Sequence, residues 1–434
     1  MAESALKLAD GREVSLEEMR GFLKEAAQEY PGLRELRLDL ELIGMVKLTY
    51  LCLTLWERLH GARAGGAKVV GKFPANPPDL YYGCGVIPAD PFVHAMAYQV
   101  FTGDHSLTEE GRAELSPEAC AWQAAANAAI RKGMVPLDAF YPFIGPWCTN
   151  TPYNCENLLE VLPDAHFLDQ PFFPHREGKE ENALDYMVKE IQAFAAQMER
   201  LTGKRTDMEE MRRAIRTGNA LRQKMRRLKE YLKLEAVPFS ALDFVFAGLL
   251  TDDWVADPMA SWDVLDTICQ EVGERAAQGE RGKGIQEDSA RIFFCGITTC
   301  DLGVYNLLED LGGTLVGLEC IWNIFREDVA EEGDPYVGLA RRDLSIPFTQ
   351  PMGDRSAVIV DLVREWGVEG VIFDCAYGCN YISKTARYVC DVIKEELGLP
   401  ILILDTDLPN EHRKALEEKI EGFLEIVRSS RMRA

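Results

Sequence analysis

The second half of the chain alternates between short apolar runs and longer stretches in which apolar residues recur at helical spacing. The runs fit buried strands of a parallel sheet, which are continuous apolar segments. They cover residues 291–296, 312–319, 370–373 and 400–407. Such alternation predicts a parallel, doubly wound sheet with helices on both faces.

The first half follows the same plan between helical segments. Apolar residues at 69–73 and 138–147 predict strands that lead into loops, whereas residues 1–65 and 180–234 keep helical spacing. We therefore expect an α/β fold with two doubly wound, Rossmann-like lobes and helical N-terminal and central segments. The expected divisions are residues 1–70 for the N-terminal helices, 71–178 for the first lobe, 179–285 for the helical linker and 286–434 for the second lobe.

Several local expectations follow from turn and capping signals. Ser116 and Pro117 predict a helix start, since serine is a good N-cap and proline is favoured at the first helical position. A second helix is expected from Asn157. Residues 252–257 read as a polar loop, and the basic residues of 222–233 read as an exposed helix face more readily than as a docking surface.

Composition narrows the class of protein. The 434 residues are 47% hydrophobic and 27% charged, as is ordinary for a soluble globular chain. A formal net charge of −23 argues against nucleic-acid binding, which needs a basic face, and leaves a basic protein partner open. No apolar run is long enough to cross a bilayer, so we expect no membrane contact. The first residues lack a secretory signal pattern, so we expect a cytoplasmic protein.

Common catalytic motifs are missing from the sequence. It contains no P-loop, no glycine-rich dinucleotide fingerprint after a strand, and neither HExxH nor GxSxG. The six histidines never form a metal-ligand pair, and no two cysteines have CxxC spacing. The chemistry of this chain therefore rests on its twelve cysteines, which are not expected to form disulfides in the reducing cytosol.

Half of the cysteines share one setting, in loops or at helix starts beyond apolar strands. These six are Cys84, Cys120, Cys148, Cys155, Cys375 and Cys379. Thiols near helix N-termini have lowered pKa values, and helix N-termini favour bound anions such as thiolate-ligated iron–sulfur clusters. Cys52, Cys269, Cys295 and Cys390 lie within helical or strand patterns and are expected to be buried hydrophobes. Cys300 and Cys320 are intermediate.

Several of these motifs, in this order, resemble the 2-hydroxyacyl-CoA dehydratase and benzoyl-CoA reductase subunits. They are Glu118-Ala-Cys120-Ala-Trp122, the Cys155-Glu156 pair, the strand at 291–296, Tyr377-Gly-Cys379-Asn380 and the strand at 400–407. The resemblance implies two α/β lobes with an iron–sulfur cluster in the cleft between them. It assigns Cys120, Cys155 and Cys379 as the three cluster ligands, which leave one iron of a cubane open.

The chain departs from that pattern by an extra cysteine at each of the three places. Cys84 stands where relatives commonly have alanine, Cys148 precedes Cys155, and Cys375 precedes Cys379. In this respect the chain is similar to the double-cubane cluster proteins of the superfamily, in which a sulfide joins two 4Fe–4S cubanes. One cubane with three incidental cysteines also fits the sequence, and so does a set in which Cys148 replaces Cys155.

The resemblance also implies an activity. The expected function is reduction of a small molecule at low potential, with electrons from a separate ATP-hydrolysing iron–sulfur activator, in a protein that forms a homodimer. One alternative is a 2-hydroxyacyl-CoA dehydratase component with a single cubane. Another is a non-catalytic electron carrier or a zinc-stabilised structural protein. Glu156 and Tyr377 are candidates for catalytic groups beside the cluster, although Glu156 also fits a helix cap.

Overall fold

The computed structural model describes residues 5–145, 147–172, 180–296, 300–319, 327–409 and 411–431. Within these ranges the fold is mixed α/β, as the alternation of apolar runs predicts. The strands are β1 Leu6–Lys7, β2 Glu13–Val14, β3 Val69–Gly71, β4 Ile87–Ala89, β5 Ala139–Phe140, β6 Phe143–Ile144, β7 Leu168–Asp169, β8 Ala290–Gly296, β9 Gly313–Glu319, β10 Gly370–Ala376 and β11 Ile401–Thr406.

Helices make up most of the rest of the chain. They are α1 Leu16–Glu29, α2 Pro31–Glu35, α3 Ile43–Leu53, α4 Leu55–Ala64, α5 Pro78–Gly83, α6 Pro91–Thr102, α7 Ser106–Glu114, α8 Ala121–Arg131, α9 Asn150–Leu158, α10 Glu180–Thr202, α11 Met208–Tyr231, α12 Ala241–Leu250, α13 Pro258–Gln278, α14 Gly303–Asp310, α15 Pro335–Leu344, α16 Met352–Glu365, α17 Asn380–Leu397 and α18 Arg413–Arg431. In the described part of the chain, none combines the length and apolarity needed to cross a membrane.

The second lobe is built on a parallel sheet with the strand order β11-β10-β8-β9. Its central strand β10 is buried along its whole length, which explains its continuous apolar sequence. The chain leaves β8 toward one edge of the sheet and later returns beside β8 as β10. The order of strands therefore reverses between β8 and β10, and a crevice forms at such a point.

The first lobe has a smaller parallel sheet, ordered β4-β3-β5, and a separate parallel pair β6-β7. The expected strand at 138–147 is split into β5 and β6 by Tyr141 and Pro142. Proline lacks the N–H group that a continuous ladder requires, so a break at Pro142 has a direct cause. The strand order again reverses, here between β3 and β5.

Two predicted helix starts were misplaced. The Ser116 carbonyl accepts a hydrogen bond from the Ala119 N–H in a turn, and α8 begins only at Ala121, with extended Cys120 as its N-cap. The helix expected from Asn157 begins earlier, at Asn150, so that Cys155 lies inside α9 and not in the loop before it. Both shifts place the helix N-terminus next to a cysteine.

The segment at 252–257 is buried, so its prediction as a polar loop was wrong. Asp252 accepts a 2.8 Å hydrogen bond from the buried Lys72 ammonium, and Asp253 lies 2.7 Å from His94 Nε2. The next three residues, 254–256, have positive φ angles of 60°, 47° and 57° although none is glycine. Such a turn costs conformational energy and persists only where its surroundings fix it.

The basic stretch 222–233 is only partly an exposed face. Arg222 is buried and forms two 2.9 Å hydrogen bonds with Asp79 of α5. The same helix, α11, also reaches the second half of the chain, because Asn219 Nδ2 donates to the Val329 carbonyl at 2.9 Å. Helix α11 therefore ties the first lobe to the segment that follows β9.

Candidate functional site

Several cysteine loops lie beyond the carboxyl ends of strands, and those of the second lobe lie beside the reversal of its strand order. Cys300 follows β8, and Cys375 and Cys379 lie at and just beyond the carboxyl end of β10. In the first lobe, Cys148 follows β6 in the loop that leads into α9. Ligands of open α/β sheets bind at the carboxyl ends of strands beside such reversals. The fold therefore concentrates thiols at the position where a ligand is expected.

Loops from both lobes touch each other at Gly378. A Cβ atom on this residue would lie 2.5 Å from both the Cys120 nitrogen and the Glu118 oxygen, so only glycine permits the approach. Its φ of +74° also favours glycine. Its carbonyl accepts a 3.2 Å hydrogen bond from Asn150 Nδ2. The loops that carry Cys120, Cys148 and Cys379 are therefore brought together by backbone contacts.

These loops line a cleft, and the space of about 610 Å³ measured there includes open solvent at its mouth. Cys120, Cys148 and Cys379 all line it. Most of the remaining wall is apolar and aromatic, with a few amide and hydroxyl groups among the rings. The other lining residues are Phe73, Pro74, Phe92, Trp122, Gln123, Trp147, Thr149, Asn150, Phe348, Asn380, Tyr381 and Ile382.

Cys155 and Cys375 stand next to this group without lining the cleft. The Cys155 thiol is close enough to Cys148 for the two to interact electrostatically, and Cys375 interacts in the same way with Cys379. Cys120 interacts with both Cys148 and Cys379. Cys155 and Cys375 are therefore electrostatic neighbours of cleft cysteines, and Cys375 is also a neighbour of Cys390.

Cys84 lies elsewhere. It packs in a second hydrophobic cluster with residues of α5, α10 and α11, whereas the other five predicted ligands belong to or pack against the main core. Burial raises the pKa of its thiol to about 12, and its electrostatic neighbours are Thr206 and Glu199. The structure thus does not bring Cys84 to the cleft, although it does follow a short helix as a C-cap.

Cys300, which the sequence left undecided, lies closer to the cleft than Cys84. Its thiol is buried, and it interacts electrostatically with Cys120 and with the indole of Trp122, a cleft residue. The sequence feature that could have identified Cys300 is its place in the loop after β8, the strand next to the one that carries Cys375. Cys320 lies outside the described residues.

The thiols are held in an environment that opposes their ionisation. Burial raises the pKa values of Cys375 and Cys379 to about 12 and raises those of Cys120, Cys148 and Cys155 as well. Neighbouring thiols add to the effect at Cys120. At Cys379, backbone N–H groups of Tyr381 and Ile382 and the charge of Arg355 act in the opposite direction. A cationic metal centre would supply the missing stabilisation of the thiolates.

The thiol of Cys148 is embedded in a hydrogen-bonded network of α8 and α9. It lies 3.1 Å from Thr151 Oγ1 and accepts a 3.6 Å contact from Gln123 Nε2. Gln123 in turn donates to Thr151 at 2.7 Å and accepts from Asn154 Nδ2 at 2.9 Å. Because Gln123, Thr151 and Asn154 are buried and paired, the network fixes the position of this half-buried sulfur.

The donor set fits an iron–sulfur cluster better than a single ion. Within the described ranges, no three His, Cys, Asp or Glu side chains are grouped closely enough to hold one metal ion. A cubane is larger than one ion, so its ligands stand further apart, and thiolates are its usual ligands. The buried indole nitrogen of Trp147 finds no acceptor among the described residues, and a cluster sulfide is a suitable one.

The two candidate catalytic groups lie outside the cleft wall. Glu156 is exposed on α9 and lines a shallow surface depression beside Glu114 and Asn157. Tyr377 is 49% exposed, and the guanidinium carbon of Arg112 lies 5.2 Å from its ring centroid. Neither side chain is placed to contact a group held by Cys120, Cys148 and Cys379.

Comparison with known proteins gives one family. The sequence model of the 2-hydroxyglutaryl-CoA dehydratase D-component matches residues 75–427. This range includes strands β4 to β11 and every cysteine of the cleft. A search of curated proteins found no match.

Proposed function

The chain belongs to the family of the 2-hydroxyglutaryl-CoA dehydratase D-component, and from this premise we propose that it binds two bridged 4Fe–4S cubanes and reduces a small molecule. Membership makes it a component of the 2-hydroxyacyl-CoA dehydratase type. Proteins of this family are generally iron–sulfur proteins, and its components work with a separate activator ATPase.

The observation that carries the proposal is that the cleft and its surroundings hold more of the predicted ligands than one cubane needs. A single cubane with an open iron needs three cysteine ligands; Cys120, Cys148 and Cys379 line the cleft, and Cys155 and Cys375 are electrostatic neighbours of these three. Cys300 interacts with the same group. We assign Cys120, Cys155 and Cys379 to one cubane, and Cys148 and Cys375 with a sixth thiol to the other.

Two cysteines are candidates for the sixth thiol. The doubled pattern in the sequence favours Cys84, whereas position in the fold favours Cys300. Cys300 is favoured because its thiol neighbours Cys120, whereas the neighbours of Cys84 are Thr206 and Glu199. Homodimerisation and the ATP-hydrolysing activator as electron donor remain part of the proposal.

The residues of the chain have defined tasks in this proposal. Bound iron–sulfur cubanes would supply single electrons at low potential. The thiols hold iron, and the network of Gln123, Thr151 and Asn154 orients Cys148. Phe73 and Phe348, with the other rings of the wall, exclude water from the cleft. Exclusion of water strengthens the electrostatic interactions within the site and limits side reactions of reduced species.

Metal and sulfide analysis of anaerobically purified protein tests the proposal. Two cubanes per chain require about eight iron atoms and about as many acid-labile sulfides, whereas one cubane requires about four of each. About four iron atoms per chain would refute the double cubane and favour the dehydratase component, which the name of the family also supports. Stoichiometric zinc without sulfide would exclude both.

Two matched variants identify the sixth ligand. Cys300→Ser should lose about half of the iron if Cys300 is a ligand. Cys84→Ser should then keep the iron content of the wild type, because Cys84 packs in the other hydrophobic cluster. Loss of iron in Cys84→Ser together with full iron in Cys300→Ser would restore Cys84 as the ligand. Cys269→Ser serves as a control in a buried cysteine of α13.

A further inference from the structure

A buried ion pair lies behind one wall of the cysteine cleft. Arg355 Nε lies 2.9 Å from Glu319 Oε1, and Arg355 Nη2 lies 3.0 Å from Glu319 Oε2. The two side chains are 0% and 1% exposed. Because water does not reach the pair, its electric field is weakly screened and extends to neighbouring groups.

The arginine end of this pair faces the cleft. The guanidinium carbon lies 4.3 Å from the ring centroid of Phe348 and 5.3 Å from that of Tyr381, and both rings line the cleft. Arg355 Nη1 also donates to Thr385 Oγ1 at 3.3 Å. Tyr381 and Thr385 belong to the first turns of α17, the helix for which Cys379 is the N-cap.

The glutamate end points away from the cleft. Glu319 is the last residue of β9, and besides Arg355 it accepts a 3.7 Å contact from the Cys295 thiol and a 3.4 Å contact from the Gly296 N–H. In the portion of the chain that the structure describes, neither of these two partners lines the cleft. The pair therefore presents its positive end to the thiols and its negative end to the sheet.

We propose that Arg355, held by Glu319, is a positioning residue that fixes the start of α17 and sets the reduction potential of the iron–sulfur group at Cys379. The inference rests on the proposed function, since it concerns the same cleft. A positive charge stabilises the reduced, more negative state of a cluster and so raises its potential. Glu319 offsets part of that charge, so the two residues act in opposite directions.

Redox titration of anaerobically purified full-length protein, followed by electron paramagnetic resonance, tests this assignment. Glu319→Gln keeps an oxygen acceptor for Arg355 but removes the negative charge, so the midpoint potential should rise. Arg355→Gln removes the positive charge, so the potential should fall. The double variant should lie between the two single variants. These opposite shifts are a signature that a merely structural role would not give.

Asp79→Asn is a matched control, because Asp79 also forms a buried bidentate pair with an arginine, Arg222, which does not line the cleft. It should leave the potential unchanged. An unchanged potential in Glu319→Gln at full iron content would overturn the inference, and Glu319→Gln alone decides if Arg355→Gln does not fold. Absence of iron from the wild type would instead refute the proposed function.

Discussion

Gly378 is a residue at which the two lobes approach closely beside the cleft. Substitution by alanine would place a Cβ atom 2.5 Å from the backbone of Cys120 and Glu118, and backbone atoms cannot move aside cheaply. The loop of Cys379 must then retreat from that of Cys120. We expect Gly378→Ala to lose most of its iron, as measured by metal analysis after anaerobic purification.

Gly398 provides the control for that substitution. It caps the carboxyl end of α17 with a φ of +67°, close to the +74° of Gly378, but nothing lies within 4 Å of its added Cβ. Gly398→Ala therefore introduces the same kind of backbone strain, about 1 kcal/mol, without the clash. It should keep its iron. Equal iron loss in both variants would show that strain alone is responsible.

At this scale the cysteines that the sequence placed together beyond strands are carried by different elements: Cys84 follows α5, and Cys155 lies within α9. Cys120, Cys148 and Cys379 do line one cleft; Cys148 and Cys379 follow the parallel strands β6 and β10, whereas Cys120 is the N-cap of α8. Cys84 has the same apolar run before it, yet it belongs to the second hydrophobic cluster. A loop position does not specify which core a side chain enters, and the pairing of strands decides that.

The start of helix α12 brings two buried carboxyl groups together. Glu309 Oε1 accepts a 2.7 Å hydrogen bond from the Ala241 N–H, and Asp243 accepts a 2.9 Å bond from the Asp39 N–H. Burial raises the pKa of Glu309 to about 8 and that of Asp243 to about 7. The nearby Asp243 also raises the pKa of Glu309, and the nearby Asp39 raises the pKa of Asp243.

The stability of the protein should therefore fall as the pH rises toward these values. A group whose pKa is higher in the folded state stabilises the fold below its unfolded value, and this contribution is lost as the pH rises through the folded value. Glu309→Gln should flatten the decrease of the thermal unfolding midpoint between about pH 6 and about pH 9. The measurement is differential scanning calorimetry at both pH values.

Glu365 is an exposed glutamate that serves as the control for the substitution of Glu309. Its pKa is lowered by a hydrogen bond from Lys233 on the surface, so it stays ionised throughout that pH range. Glu365→Gln should leave the pH dependence of the midpoint as in the wild type. If Glu309→Gln behaves like Glu365→Gln, the buried carboxyl groups do not control the slope.

Element boundaries were predicted well where a single periodicity dominates and poorly where tertiary contacts override local signals. The expected strand at 370–373 extends in the structure to Ala376, as β10, because it is fully enclosed between β8 and β11. Residues 252–257 were predicted as a polar loop, yet Asp252 pairs with Lys72 and Asp253 with His94 in the interior. Charges that neutralise one another across the sequence are not visible as a local pattern.

Helix α11 is joined to α5 of the first lobe by the buried pair of Arg222 and Asp79. Removal of one partner leaves an uncompensated buried charge, so Arg222→Leu should lower the free energy of unfolding by about 3–5 kcal/mol. The double variant with Asp79→Leu should recover much of that loss. Both values come from chemical denaturation, and a double variant no more stable than Arg222→Leu would contradict this account.

Arg213 on the same helix is the matched exposed residue. Its pair with Glu210 is 67% and 51% exposed, and exposed pairs contribute little because water screens them. Arg213→Leu should change the free energy of unfolding by no more than about 0.5 kcal/mol. A large effect at Arg213 would indicate that leucine substitution weakens helix α11 itself. The loss of stability in Arg222→Leu could then not be assigned to the buried charge.

The two-lobed α/β architecture was predictable because alternation of apolar runs and helical spacing is a property of the whole chain. The role of the central helices was not. The sequence presents 180–234 as a charged linker, whereas α11 contacts α5 through Arg222 and the 327–331 segment through Asn219. Single buried polar residues make these connections, and a helical pattern does not reveal their partners.

The contact between Asn380 and Thr149 has a consequence for how the protein is made. Their 3.2 Å hydrogen bond joins residues 231 positions apart, one from each lobe. During synthesis the loops of Cys120 and Cys148 leave the ribosome long before Cys379 exists. The nascent first lobe therefore carries unpartnered thiols until the second lobe has folded against it. If Cys379 binds the cluster as proposed, metal is delivered at the end of biogenesis, and a chain truncated before β10 cannot complete the site.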